Sequence, residues 1–419
     1  MSTVVGPGGG QPAYRLGQLL RLGEEMQAQV AGAAAARVEA RAGEHGHPVP
    51  QRLLRERSAV AARQAYPQGL ATRHRRRLPG GQPPGQLGAQ LAGIELGYGT
   101  VRGDAGLREI IATGTGVTAG QVLLTVGGIE AMFLLAQAVC GPGDRVLLPT
   151  PSFPPARSVP EALGAHLDAV PLSFDDAYRL PLDRVTAALG PRTRLVSLAT
   201  PQNPSGVRIT EAELRALVDA VHARAPEAVI LVDETYRHSA YGKTPVPPSA
   251  AALSPNVVTC CSVSKAHGAP GLRLGWLTTT DPARYEVLRE AKFRTTIACS
   301  TVDEFLAARV LTRDVLAPRA VFLEQRLADL MRWAEKQQVE IVVPDGGPMC
   351  CLRLPAGLDV APFHRRLAEL DTRVAPGAWF GEDDRIVRVG FGHLDAAGFG
   401  TALDHVSAAL EADAARPTS

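Results

Sequence analysis

From Leu96 onward the chain alternates apolar runs of four to seven residues with stretches of helical periodicity, and that alternation constrains the fold more than any other feature. A run that is apolar throughout, too short for a helix and flanked by helical segments, reads as a strand buried on both faces. Strands separated by helices pair in parallel, with the helices covering the sheet. Strands are expected at Val122–Thr125, Arg145–Pro149, Leu195–Ala199, Val229–Val232, Val257–Cys261 and Leu274–Thr278, and helices at Ala105–Thr113, Ile129–Val139, Glu211–Arg224 and Pro282–Lys292. A long helical pattern follows through Thr301–Lys336. Beyond it, short strands at Glu340–Val343, Cys350–Leu354 and Ile386–Gly390, with a helix near Pro362–Leu370, predict a smaller α+β domain. The expected fold class is therefore α/β, a large domain over 96–300 with a mostly parallel sheet sandwiched by helices, plus a small C-terminal domain over 301–419. No internal repeat is present.

The first 95 residues stand apart: they contain no Asp, Lys, Asn, Phe or Trp and are rich in Arg, Ala, Gly, Pro and Gln. A packed core is hard to build from that composition, which is also what a shifted frame or an over-extended start would produce. Its cluster Arg73-His74-Arg75-Arg76-Arg77 reads as a solvated charge run. A net charge of +2 over 419 residues gives no general pull toward nucleic acid or membrane. No run approaches the ~18 apolar residues of a membrane span. Met1–Gln11 lacks the charged-then-apolar order of a signal peptide, so a cytoplasmic location is expected. The six cysteines show no metal-ligand spacing, and no metal is expected; they read as reduced core residues.

Five motifs carry the chemistry. Lys265, one of only four lysines, ends the apolar run in Ser262-Val263-Ser264-Lys265 and is followed by Gly268, Gly271 and Arg273. Small hydroxyls and glycines around a lone amine suit a lysine that forms an imine with a bound aldehyde and leaves room for a phosphate, as pyridoxal phosphate requires. The second motif, Val229–Val232 followed by Asp233-Glu234-Thr235-Tyr236, delivers a carboxylate at a strand's carboxyl end, where ligands of open α/β sheets bind. Asp233 suits a pyridinium partner that keeps the ring nitrogen protonated, and Tyr236 can reach back to the same ring. The third, Thr200-Pro201-Gln202-Asn203-Pro204-Ser205-Gly206, lets the Asn203 amide point into the same crevice. The fourth, Thr125-Val126-Gly127-Gly128-Ile129-Glu130, is a glycine turn at a helix start that favours an anion. The fifth, Arg388-Val389-Gly390-Phe391, offers an arginine fork for a carboxylate. Lys292 and Arg294 read as solvated charges on a helix end.

In their order and spacing these motifs resemble the class I/II aminotransferases of pyridoxal-phosphate fold type I, over about Leu96 to His393. The resemblance implies pyridoxal 5′-phosphate as cofactor, held as a Schiff base by Lys265, with Asp233 on its pyridine nitrogen and Asn203 and Tyr236 on its phenolic oxygen. Ser262, Arg273 and the turn at Gly128-Ile129 would hold the phosphate. Phe153 would stack on the ring, and Arg388 would bind the substrate α-carboxylate. Tyr98 matches a tyrosine that reaches the phosphate of the neighbouring subunit, which implies a homodimer with shared active sites. The expected activity is transfer of an amino acid's amino group to a 2-oxo acid. Pro348-Met349-Cys350-Cys351-Leu352-Arg353 and Val374-Ala375-Pro376-Gly377 with Phe380-Gly381 look similar to capreomycidine-synthase-like members, which use the cofactor for elimination and ring closure on an arginine-derived substrate. Elimination, replacement or cyclisation is thus the alternative activity. A transcription regulator with an amino-terminal DNA-binding module is a third, opposed by the lack of a helix-turn-helix pattern in residues 1–95.

Overall fold

The structure, a computed structural model, describes residues 84–414. The Arg73–Arg77 cluster and nearly all of the segment 1–95 lie outside the described residues. Helix α1 (Pro84–Ala92) and the residues to Tyr98 belong to one unit, and the chain from Gly99 onward forms a second, which carries both sheets.

The larger sheet has seven strands: β1 (Val122–Thr125), β2 (Arg145–Thr150), β3 (His166–Pro171), β4 (Thr193–Ala199), β5 (Val229–Asp233), β6 (Val257–Ser262) and β7 (Gly275–Thr279). Their order is β1-β7-β6-β5-β4-β2-β3, parallel from β6 to β3 and antiparallel at β7 and β1. Alternation along a strand sends successive side chains to opposite faces. In β5, Val229 and Leu231 join a core with α3 (Gly127–Val139), α4 (Pro154–Ala162) and α7 (Pro282–Thr295), whereas Ile230 and Val232 join one with α5 (Leu182–Ala188) and α6 (Glu211–Arg224). A third core sets α2 (Ala105–Thr115) and α8 (Thr301–Thr312) against β1, β7 and β6 through Leu107, Ile111, Leu124, Trp276 and Val310.

The second sheet is antiparallel: β8 (Glu340–Val342), β9 (Met349–Arg353), β10 (Ala375–Pro376) and β11 (Ile386–Gly390), in the order β10-β11-β9-β8. It packs on α9 (Leu316–Gln337), α10 (Val360–Glu369) and α11 (Ala396–Ala414). The single helix expected over Thr301–Lys336 is two, because Pro318 lacks an amide donor and so is tolerated only in a first turn, where α9 begins. Tyr178 and Val207 of the larger sheet's loops meet Val342, Cys351 and Ile386 of the smaller sheet in one cluster. Among the described residues no helix is long and apolar enough to cross a membrane.

Candidate active site

Strand β2 is followed in sequence by its outer neighbour β3, whereas β4, on its other side, leads away through β5 to β6. Connections that diverge from adjacent parallel strands leave a crevice at the strands' carboxyl ends. Here that crevice is lined by Pro151, Ser152 and Phe153 after β2, by Gln202 and Asn203 after β4, and by Asp233 at the end of β5. Gln202 ties the two loops together, its Nε2 donating to the Pro151 carbonyl at 2.9 Å. Phe153, half-buried, precedes α4 and lines the crevice.

Beside the crevice, at the start of α3, Gly127 has φ +74°, and a Cβ there would stand 2.4 Å from the Arg273 Nη2. The guanidinium therefore lies directly on the first turn of the helix. Arg273 also donates to Ser264 Oγ at 3.4 Å and to the Pro270 carbonyl at 2.9 Å, and Ser262 Oγ accepts from the Ser264 amide at 3.3 Å. Gly275 closes the base, since a Cβ on it would lie 2.6 Å from the Gly127 carbonyl carbon and 2.8 Å from the Gly128 amide. A helix amino terminus of 13 residues, a guanidinium and two serines around a space that only glycine leaves open make an anion cradle. Gly128, Ser262 and Arg273 come together as expected, and Gly127 and Ser264 join them. Ile129 follows Gly128 in the first turn of α3 and is 40% exposed.

Lys265 stands in the turn after β6, its Nζ 5.9 Å from the centroid of the buried Tyr236 ring. Asp233 accepts a hydrogen bond from the Thr235 amide at 2.9 Å. Burial pushes the Asp233 carboxyl up, and hydrogen bonds from Thr235 and Cys260 together with the charge of Lys265 oppose that rise. A carboxylate so placed gains from a cation brought into the crevice, such as a protonated ring nitrogen.

Arg388, on β11 of the smaller sheet, is buried rather than outward-facing. Its Nη1 donates to Asn203 Oδ1 at 2.7 Å, and its guanidinium stacks on Phe380 at 4.8 Å. The smaller sheet thus brings its arginine to the crevice of the larger one. Tyr98 is 89% exposed. The expectation for Lys292 is overturned: it is fully buried, with Nζ donating to the Val101 carbonyl at 2.8 Å, because α7 is covered on the side that its last turn presents. Arg294 does face solvent, beside Glu290. All six cysteines are free thiols, five of them buried.

The residues present fit pyridoxal phosphate: a glycine turn under a guanidinium that could take its phosphate, an acid at the end of β5 for a ring nitrogen, a lysine in the turn after β6 and a buried arginine bonded to Asn203. The family model of aminotransferase class I and II matches residues 70–404. Capreomycidine synthase of Streptomyces vinaceus is 31% identical over 314 residues, 74% of this chain and 80% of that protein. Arginine–pyruvate transaminase of Pseudomonas aeruginosa is 27% identical over 65% of this chain and 71% of its own length. Among solved structures, a pyridoxal-phosphate-dependent aminotransferase from Streptococcus suis superposes with a TM-score of 0.74 at 25% identity, over 80% of this chain and 89% of that one.

Proposed function

The chain belongs to the class I and II aminotransferases, enzymes that depend on pyridoxal 5′-phosphate, and from that premise we propose which of its residues do the work and on what. When bound, the cofactor supplies an aldehyde that captures an amino group and a protonated ring that accepts the electrons of the substrate's Cα–H bond. Lys265 would hold the cofactor covalently and would take the substrate's Cα proton on its Nζ. Asp233 holds the proton on the ring nitrogen. Asn203 and Tyr236 donate to the phenolic oxygen, Phe153 stacks on the ring, and Ser262, Arg273 and the amides at Gly128 hold the phosphate. Arg388 grips the α-carboxylate. The observation that carries this assignment is the Arg388–Asn203 hydrogen bond, which joins a carboxylate-binding cation to the same crevice as Asp233.

The reaction we propose is transfer of the amino group of an amino acid to a 2-oxo acid. A second reading is supported by the 31% identity to capreomycidine synthase: elimination, replacement or ring closure on an amino acid. One experiment separates the two. The protein and its Lys265→Ala variant are incubated with single amino acids, arginine included, with and without an added 2-oxo acid. Transfer predicts turnover that needs the acceptor and yields the substrate's own 2-oxo acid, with a loss of at least about 10³-fold in Lys265→Ala. Turnover without an acceptor supports elimination or cyclisation, and no turnover of any amino acid opposes both.

We also propose a homodimer in the cytoplasm, with large and small domains dividing near residue 300. Exposed apolar side chains at Ile129 and Phe133 on α3 and at Phe293 and Ile297 at the end of α7 support the dimer. These residues lie where α3 and α7 meet, at the Thr296 Oγ1 to Glu130 Oε1 hydrogen bond of 2.5 Å. The exposed Tyr98 is assigned to the partner's phosphate. Six unpaired thiols suit a reducing compartment.

A further inference from the structure

Asp233 and Tyr236 are the residues assigned to the cofactor ring; the two charged residues that stand beside them are not. Glu234 and Arg237 form an ion pair, Nε to Oε2 at 3.0 Å, with side chains only 2% and 6% exposed. Glu234 accepts further bonds from the Ser249 hydroxyl at 2.9 and 2.8 Å and from the Ala250 amide at 2.6 Å. Arg237 donates to the Pro247 carbonyl at 3.0 Å and, from Nη2, to the Gly114 carbonyl at the end of α2, also at 3.0 Å. The same Nη2 lies 3.0 Å from His238 Nε2. The turn is fixed from below as well, because the Glu234 amide donates to the Cys260 carbonyl at 2.8 Å.

A buried ion pair brings little net stability over an apolar pair of the same size, but loss of one partner leaves an uncompensated charge. The place of this pair is what gives it a purpose. It sits within the five-residue stretch Asp233–Arg237 that carries both groups assigned to the cofactor ring, and it anchors that stretch to two separate segments. We propose that Glu234 and Arg237 are a charge-balanced positioning unit that sets the Asp233 carboxylate and the Tyr236 ring against the cofactor. The proposal rests on the cofactor reading above.

The charged and titratable groups around the pair are Asp233, Cys260, Cys261, His238 and His267. Burial lifts the Glu234 carboxyl; Arg237 and the bonds from Ala250 and Ser249 lower it, and Asp233 lifts it again. Burial, then Arg237, then His267 hold His238 down at about 3, so it is neutral near pH 7 and adds no second cation. His267 is likewise held at about 4 by burial, then by Arg319 and Arg237.

The test uses full-length protein stripped of cofactor, with Arg237→Met, Glu234→Gln, the double variant and Arg237→Lys. Pyridoxal phosphate affinity, the pH dependence of the bound cofactor's visible absorbance, and thermal unfolding of each stripped protein are measured. Arg237→Met is expected to weaken cofactor binding about tenfold or more and to shift the pH profile, the double variant to regain most of both, and Arg237→Lys to fall between. Single variants that bind within about twofold of the parent with an unshifted profile would overturn the proposal, as would affinity losses that merely track the loss of thermal stability and do not recover in the double variant. A parent that binds no pyridoxal phosphate would instead bring down the cofactor reading, and this proposal with it.

Discussion

Lys292 occupies the last turn of α7, where a lysine ordinarily faces water, yet it lies wholly inside, bonded to the Val101 carbonyl and 3.6 Å from the Cys299 thiol. Glu304, 4% exposed, shares that interior: burial lifts its carboxyl to about 7, Lys292 opposes the rise and Asp104 adds to it. Because the folded value lies above the ordinary 4.5, the fold binds a proton there that the unfolded chain releases. Its contribution to stability is therefore full below pH 4.5 and is lost as pH rises through about 7. Denaturant unfolding of the protein and of Glu304→Gln across that range should show the parent losing stability relative to the variant as pH rises. A constant difference would refute the assignment. Neither residue was legible as buried. Charge and helix position predict solvent exposure, and only the approach of Val101, Cys299 and Glu304 to Lys292 decides otherwise.

At the scale of elements, strands buried along their length were readable, the edge strand β1 among them, and the mostly uncovered edge strand β3 was not. The run Leu195–Ala199 is apolar because both of its faces are covered, whereas β3, at the sheet's edge, buries only Val170 and so reads as a loop. Helices α4, α5 and α11 left no clear signal either, α4 because prolines interrupt its pattern. The glycine turn before α3 reads in the sequence as an anion site, but which glycine meets a guanidinium does not, since that depends on Arg273 folding back 146 residues later over Gly127. Gly127→Ala should cost about 1–3 kcal/mol in the left-handed backbone. It should also displace the Arg273 guanidinium, weakening pyridoxal phosphate binding about tenfold or more; affinity equal to the parent's would show that the cradle lies elsewhere. Gly275→Ala, whose Cβ would press on the Gly127 carbonyl carbon and the Cys261 carbonyl oxygen, should destabilise the fold by about 1–3 kcal/mol in denaturant unfolding.

Across the whole molecule, the motifs were expected to share one crevice, and the contact that joins the fifth to the third was the unseen part. Asn203 and Arg388 are 185 residues apart and come from different sheets, so nothing local foretells their hydrogen bond. The resemblance supplied the expectation, and packing of the smaller sheet against the 172–207 loops explains it. The exposed apolar side chains of Ile129, Phe133, Phe293 and Ile297 make their own prediction: Phe293→Asp should shift the protein from dimer to monomer in native mass spectrometry, and a parent already monomeric would refute the shared site assigned to Tyr98. The most direct test of the central claim is to load the protein with pyridoxal phosphate, reduce it with borohydride and map the modified peptide. The cofactor's mass is expected on the peptide that contains Lys265. The same mass on Lys243, Lys292 or Lys336, or on no peptide, would contradict it.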